Sequence, residues 1–280
     1  MPPPFPPRPS GRGGFIFSWL SSAHTLGGRA HHARGRSTRA APNIVFIFAD
    51  HLGFDNLDSY GCHADQETPP RPPQFRRKHP VIFTSDNGPV LFDGYFDGAR
   101  EKNQDHRPAG EFQGWKYQVY EGACRVPLIA RWPARLQPRV SDQIFNLVDL
   151  PATLARLAGG TISPAQSPDS LDLSAVLLGT TSENVRDHTV LHGLSETFAI
   201  RVGDWKYVPA TVRGSANRPA PANAADDRFG ANRIATALLF NLRDDPGEQK
   251  NVITEHPDRA AELQRRLETL RQTPTPTPTP

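Results

Sequence analysis

The sequence predicts an α/β protein: a mostly parallel sheet flanked by helices, followed by a small C-terminal antiparallel α+β unit. Three observations carry this reading. Two short apolar runs, "NIVFIFA" at 43–49 and "VIFTS" at 81–85, each lead into a carboxylate. Their continuous apolar character is that of strands buried on both faces of a parallel sheet. Residues 147–160, "LVDLPATLARLAGG", carry the punctuation of a compact helix. From about residue 190 the pattern turns to a hairpin, a further strand and a closing helix.

Taken in order, residues 1–41 read as a disordered leader or targeting segment. They hold six Arg and no acidic residue, and their one apolar piece, "GFIFSWL", is short. The α/β domain is assigned to 42–188. Its first strand is 43–49, and a polar, proline-broken loop precedes the strand 81–85. Residues 86–126 are Gly-rich and irregular, the kind of long loop that carries function. "VPLIARWP" supplies another strand. In the helix after it, Asp149 suits the cap, Pro151 the first turn and Gly159 the end, while Leu154 and Leu157 share a face.

The C-terminal unit is assigned to 189–273. "TFAIRVGDWKYV" reads as a hairpin turning at Gly203-Asp204, and "LLFNL" as a strand. "HPDRAAELQRRLETLRQ" is an amphipathic helix with Leu263, Leu267 and Leu270 on one side. Residues 274–280, from the Thr-Pro repeat, read as a disordered tail.

Composition narrows the function classes. The net charge is +3 over 280 residues, and no basic run alternates with aromatics, so nucleic acid is not an expected partner. No apolar run is long enough for an integral membrane segment. Cys62 and Cys124 are too few for a disulfide framework or a zinc site of their own.

The chemistry gathers at two strand ends. Asp50 and His51 follow the first strand; Asp86 and Asn87 follow the second. Ligands of open α/β sheets bind at the C-terminal ends of strands, and oxygen donors from two adjacent ends suit a hard divalent cation. A solvated turn at "SDNG" or a helix cap at Asp50 is the plainer reading of either pair alone.

Four stretches in one order then carry a resemblance: "PNIVFIFADHLGFDNLDSYG", "VIFTSDNGP", "GWKYQVYEGACRVPLIARWP" and "LFNLRDDPGEQKNV". Over about residues 42–62 and 80–270 the chain resembles the sulfatases, the arylsulfatase group of the alkaline-phosphatase superfamily. The resemblance implies hydrolysis of sulfate esters, a Ca2+ cofactor and a sulfated small molecule or glycan as partner. It also implies a periplasmic or secreted location. It assigns Asp50, His51, Asp86 and Asn87 to the metal, with His51 standing where the family usually has a carboxylate or amide. It assigns Lys116 of "GWK" to the sulfate oxygens, where a point cation stabilises charge on the transferring group. His106, in "DHRPAG", is a further catalytic candidate; a surface histidine in a Gly- and Pro-rich loop is its plainer reading.

The family's nucleophile is a formylglycine made from a C/S-x-P-S-R word. Neither "GCHAD" around Cys62 nor "ACRVP" around Cys124 matches it. The word belongs between the two metal pairs, where the resemblance implies a long section and this chain has residues 63–80. That stretch therefore reads as a deletion junction in a truncated sulfatase domain. The sequence-level conclusion is a sulfatase by lineage whose own turnover is impaired. The alternatives are a non-catalytic binder of sulfated ligands or cations, and a fragment without function.

Overall fold

The structure is a computed structural model and describes residues 15–17, 42–57, 78–91, 98–211 and 234–272. Most of the expected leader, residues 58–77 with Cys62, and the 274–280 tail lie outside the described residues.

The first sheet is built from Phe15–Phe17 (β1), Val45–Ala49 (β2), Val81–Ser85 (β3), Leu128–Arg131 (β4) and Arg139–Ser141 (β5), in spatial order β2-β3-β4-β1-β5. β2 and β3 are parallel, as are β1 and β4. β3 runs antiparallel to β4, and β1 to β5. The sheet is thus mixed rather than mostly parallel. Two of its strands also depart from expectation. Phe15–Phe17, from the segment read as a leader, pairs between β4 and β5, where three residues rich in β-propensity complete the ladder. β2, read as buried on both faces, is instead the edge strand among the described residues: Phe46 is 40%, Ile47 47% and Phe48 52% exposed.

The backbone explains what that edge offers. Val45 donates its N–H to the Pro80 carbonyl (3.0 Å), and the Ala49 carbonyl accepts from Asp86 N (3.4 Å). In a parallel ladder alternate residues turn to opposite sides. Val45, Ile47 and Ala49 therefore bond β3, while the amides and carbonyls of Phe46 and Phe48 point outward.

Behind the sheet, Ile82, Leu128, Ala130 and Trp132 pack with Leu157 of the helix Leu150–Leu157 (α3 in chain order) and Leu177 of Ser174–Leu178 (α4). Ala99–Lys102 (α1) and Glu121–Cys124 (α2) are single turns in the long loop before β4. α3 starts with Pro151 in its first turn and stops before Gly159, whose φ of +89° suits glycine. Asp149 stands at its cap without capping it. Its carboxylate instead accepts from Asn146 N (3.0 Å), Leu171 N (2.9 Å) and the buried Arg186 guanidinium (2.5 Å).

The second sheet is antiparallel throughout, in the order His188–His192 (β6), Phe198–Val202 (β7), Trp205–Val208 (β8) and Leu238–Asn241 (β9). Gly203, at φ +57°, opens the two-residue turn between β7 and β8. One face packs against Leu263 and Leu267 of the closing helix Pro257–Gln272 (α5), with Leu270 partly buried beside them. The other face places Ala199, Val208 and Phe240 against Val119. So the loop that carries Lys116 rests directly on the C-terminal unit.

A buried charge network reinforces this seam. Glu121 of α2 receives Lys206 Nζ at 3.0 Å, Arg125 Nη2 at 2.6 Å and Arg201 Nη1 at 3.2 Å. Glu248 accepts the Glu121 amide at 2.6 Å and lies 2.9 Å from Lys206 Nζ. Burial opposes ionisation of Glu121, but the cations Lys206, Arg125 and Arg201 outweigh it and hold its carboxyl well below the ordinary value. The words "YEGACRVP" and "DPGEQKN" are therefore architectural: each delivers one acid to the same lysine.

Candidate metal centre

The two stretches that carry the candidate metal ligands are tied together at the C-terminal ends of the neighbouring strands β2 and β3. Asp86 Oδ1 accepts the backbone N–H of His51 (2.9 Å) and of Asn87 (2.8 Å). Burial alone would raise the Asp86 pKa; these two amides, helped by His51, outweigh it and lower it. Ser85 completes the tie. Its hydroxyl accepts from Leu52 N (2.9 Å) and lies 3.2 Å from the Asn87 carbonyl. By sequence Ser85 is only the last residue of a strand. Its role depends on a loop 33 residues away in sequence, which no local pattern announces.

Ligand atoms of Asp50, His51 and Asp86 lie within 4.8 Å of one another. His51 Nε2 is 2.9 Å from Asp50 Oδ1 and 4.0 Å from Asp86 Oδ2. Asn87 adjoins the cluster, with its amide nitrogen donating to the Gly88 carbonyl at 2.8 Å. The chain is strained to achieve this: His51 adopts φ +58°.

Lys116 comes to the same point. Its backbone N–H donates to the Pro89 carbonyl (3.0 Å), and Gly88 N donates to the Ala123 carbonyl (2.8 Å). Only glycine fits at 88, because a Cβ there would lie 2.0 Å from the Gly122 carbonyl oxygen. These close approaches bring the Lys116 ammonium into contact with His51 Nε2. His106 is not a member of this group; its Nε2 lies 3.3 Å from Asn56 Nδ2.

The donor set fits a divalent cation. His51 Nε2 faces an ammonium, which only donates, and a carboxylate, which only accepts. One nitrogen cannot satisfy both. A cation shared by Asp50, His51 and Asp86 would resolve the conflict, and an anion would take over Lys116. Two carboxylates with one imidazole admit calcium and also softer ions.

Comparison with known proteins agrees with the motifs. The family pattern described as sulfatase matches residues 74–160. An N-acetylgalactosamine-6-O-sulfatase of Bacteroides thetaiotaomicron is 36% identical over 191 residues, covering 68% of this chain and 36% of that protein. Human arylsulfatase A is 33% identical over 182 residues, covering 62% of this chain and 33% of its own. A solved structure is described under the metabolism of multiple glycosaminoglycans by Bacteroides thetaiotaomicron. It superposes with a TM-score of 0.60 at 35% identity, over 71% of this chain and 40% of that one. The chain thus spans about a third of the length of the curated relatives it matches. Among the described residues no helix is long and apolar enough to cross a membrane. With its motifs, its matched domain and its superposed fold in agreement, the chain belongs to the sulfatase family.

Proposed function

We propose that this chain recognises the sulfate group of a sulfated glycan at a Ca2+-assisted site, and that its hydrolysis of the ester is far slower than sulfatase lineage implies. The observation that carries this reading is the convergence of Asp50, His51 and Asp86 within 4.8 Å, with the Lys116 ammonium against His51. Asp50, Asp86, His51 and Asn87 would hold the cation. When bound, it would supply positive charge that polarises a sulfate oxygen. Lys116 holds the sulfate oxygens and balances their charge. The amides of His51 and Asn87 keep Asp86 ionised and aimed.

What the site lacks in sequence is a nucleophile, since neither cysteine lies in a maturation word. Water alone would then attack, and losing one member of a cooperating catalytic group commonly costs orders of magnitude in rate. The relative named as an N-acetylgalactosamine-6-O-sulfatase suggests a 6-O-sulfated amino sugar as first ligand. The family's usual export makes a periplasmic or secreted setting the natural one.

The test is calorimetry with CaCl2, then with N-acetylgalactosamine 6-sulfate, on wild type, Asp86→Ala and Lys116→Ala. Wild type should bind both, Asp86→Ala should lose calcium, and Lys116→Ala should lose the sugar. An aryl sulfate assay should stay near background. Absence of sugar binding by wild type would refute recognition; robust metal-dependent turnover would refute impairment.

A further inference from the structure

Beside Lys116 stands a residue the chain holds at a cost. Tyr117 adopts φ +80°, a conformation that glycine takes freely and an aromatic residue rarely does. Such outliers persist only where the surroundings over-determine them, and they gather at ligand sites. Among the described residues, two of the five non-glycine positions with positive φ, His51 and Tyr117, meet the same lysine.

The surroundings that hold Tyr117 come from both units. On one side, Lys116 N is fixed to the Pro89 carbonyl at 3.0 Å. On the other, the Tyr117 carbonyl accepts Leu194 N at 2.8 Å, from the turn between β6 and β7. That turn approaches closely because residue 193 is glycine; a Cβ there would lie 2.7 Å from the Tyr117 oxygen. The result is a half-buried tyrosine with the Lys116 ammonium over its ring, Nζ 5.3 Å from the centroid.

We propose that Tyr117 is a specificity-determining residue: its ring is the platform on which the sugar of a sulfated glycan lies while Lys116 holds the sulfate. A sugar ring has one face of C–H groups, which suits an aromatic surface, and its polar rim stays free for hydrogen bonds. The backbone strain sets the ring beside the ammonium, so sulfate and sugar are read by adjacent residues of one loop. The C-terminal unit thereby takes part in recognition without touching the ligand, since its turn at Gly193-Leu194 fixes the tyrosine.

This inference rests on the sulfate-binding reading of Lys116, and the test separates the two. Titrate inorganic sulfate and N-acetylgalactosamine 6-sulfate, each with calcium present, into wild type, Tyr117→Phe, Tyr117→Gly and Lys116→Ala. Glycine adopts φ +80° without strain, so Tyr117→Gly removes the ring and keeps the backbone; unchanged far-UV circular dichroism checks the fold. Tyr117→Gly should weaken the sulfated sugar about tenfold, near the upper range of one aromatic contact, and leave inorganic sulfate unchanged. Tyr117→Phe should bind the sugar like wild type. Lys116→Ala should lose both ligands. Equal loss of sulfate and sugar in Tyr117→Gly would reduce the tyrosine to a support for Lys116 and overturn the platform. Unchanged sugar binding in Tyr117→Gly would overturn it too, leaving Lys116 in place. Failure of wild type to bind either ligand would overturn both readings.

Discussion

Lys206 reaches Glu121 across the seam between the two sheets, Nζ to Oε1 at 3.0 Å, with the lysine side chain fully buried and the glutamate 4% exposed. The pair joins β8 to the turn that follows the Lys116 loop. Burying a lysine lowers its pKa, but Glu121 and Glu248 outweigh this and raise it, so the ammonium stays charged. Lys206→Met would leave Glu121 and Glu248 buried without their shared cation. Breaking a buried pair on one side costs roughly 3–5 kcal/mol. Urea unfolding should show a correspondingly lower midpoint, and an unchanged midpoint would mean that Arg125 and Arg201 suffice for Glu121.

Asp187 supplies a pH test on the outer side of the second sheet. Hydrogen bonds from Arg266 and then His188 hold its carboxyl at about 2, below the ordinary 3.8. A depressed folded pKa contributes stability that is present above 3.8 and lost as pH falls towards 2. The side chain is 62% exposed, so solvent screens the pair and the effect is small. Asp187→Asn should remove this component: wild type and variant should differ above pH 3.8 and converge near pH 2 in acid unfolding followed by circular dichroism. A constant difference down to pH 2 would contradict the assignment.

His51→Asp should tighten calcium and weaken zinc. Aspartate tolerates the φ of +58° better than most residues and adds a carboxylate to Asp50 and Asp86. One more anionic oxygen ligand is worth about tenfold in calcium affinity. Competitive calorimetry with the two ions reads the ratio, and an unchanged ratio would show that His51 is no ligand.

Cys124, half-buried, should behave as an unreactive thiol. Burial is the main force pushing its pKa up to about 12, and its Sγ lies 3.7 Å from the Gln118 carbonyl. A chromogenic disulfide reagent at pH 8 should leave it untouched in the folded chain and modify it after denaturation. Intact mass after co-expression with a formylglycine-generating enzyme should show no change at this position. Conversion would identify a maturation site that the sequence word does not describe.

The sequence was most legible where its signals are local. The turn at Gly203-Asp204, the helix ending at Gly159 and the leucine face of α5 depend on residues a few positions apart. The carboxylates at the ends of β2 and β3 were legible because strand pairing brings such ends together. Long-range relations were hidden. Asp149 looked like a cap because its true partner, Arg186, lies 37 residues away. Ser85 and Tyr117 owe their positions to contacts from distant loops. Nor could an apolar run disclose that β2 would stand at an edge, since hydrophobicity records what a strand prefers and not which neighbours it finds.

That edge carries a consequence for concentrated solutions of the protein. Among the described residues no strand pairs with the outer side of Phe46 and Phe48, and the segment is neutral, with no proline between Ile44 and Ala49. Such an edge is a template for pairing with another copy, a process that accelerates with concentration. Storage life would then be a colloidal property rather than a measure of folding stability. Ile47→Lys should slow the growth of light scattering in concentrated samples while leaving the unfolding midpoint nearly unchanged, because the side chain it replaces is already half in water.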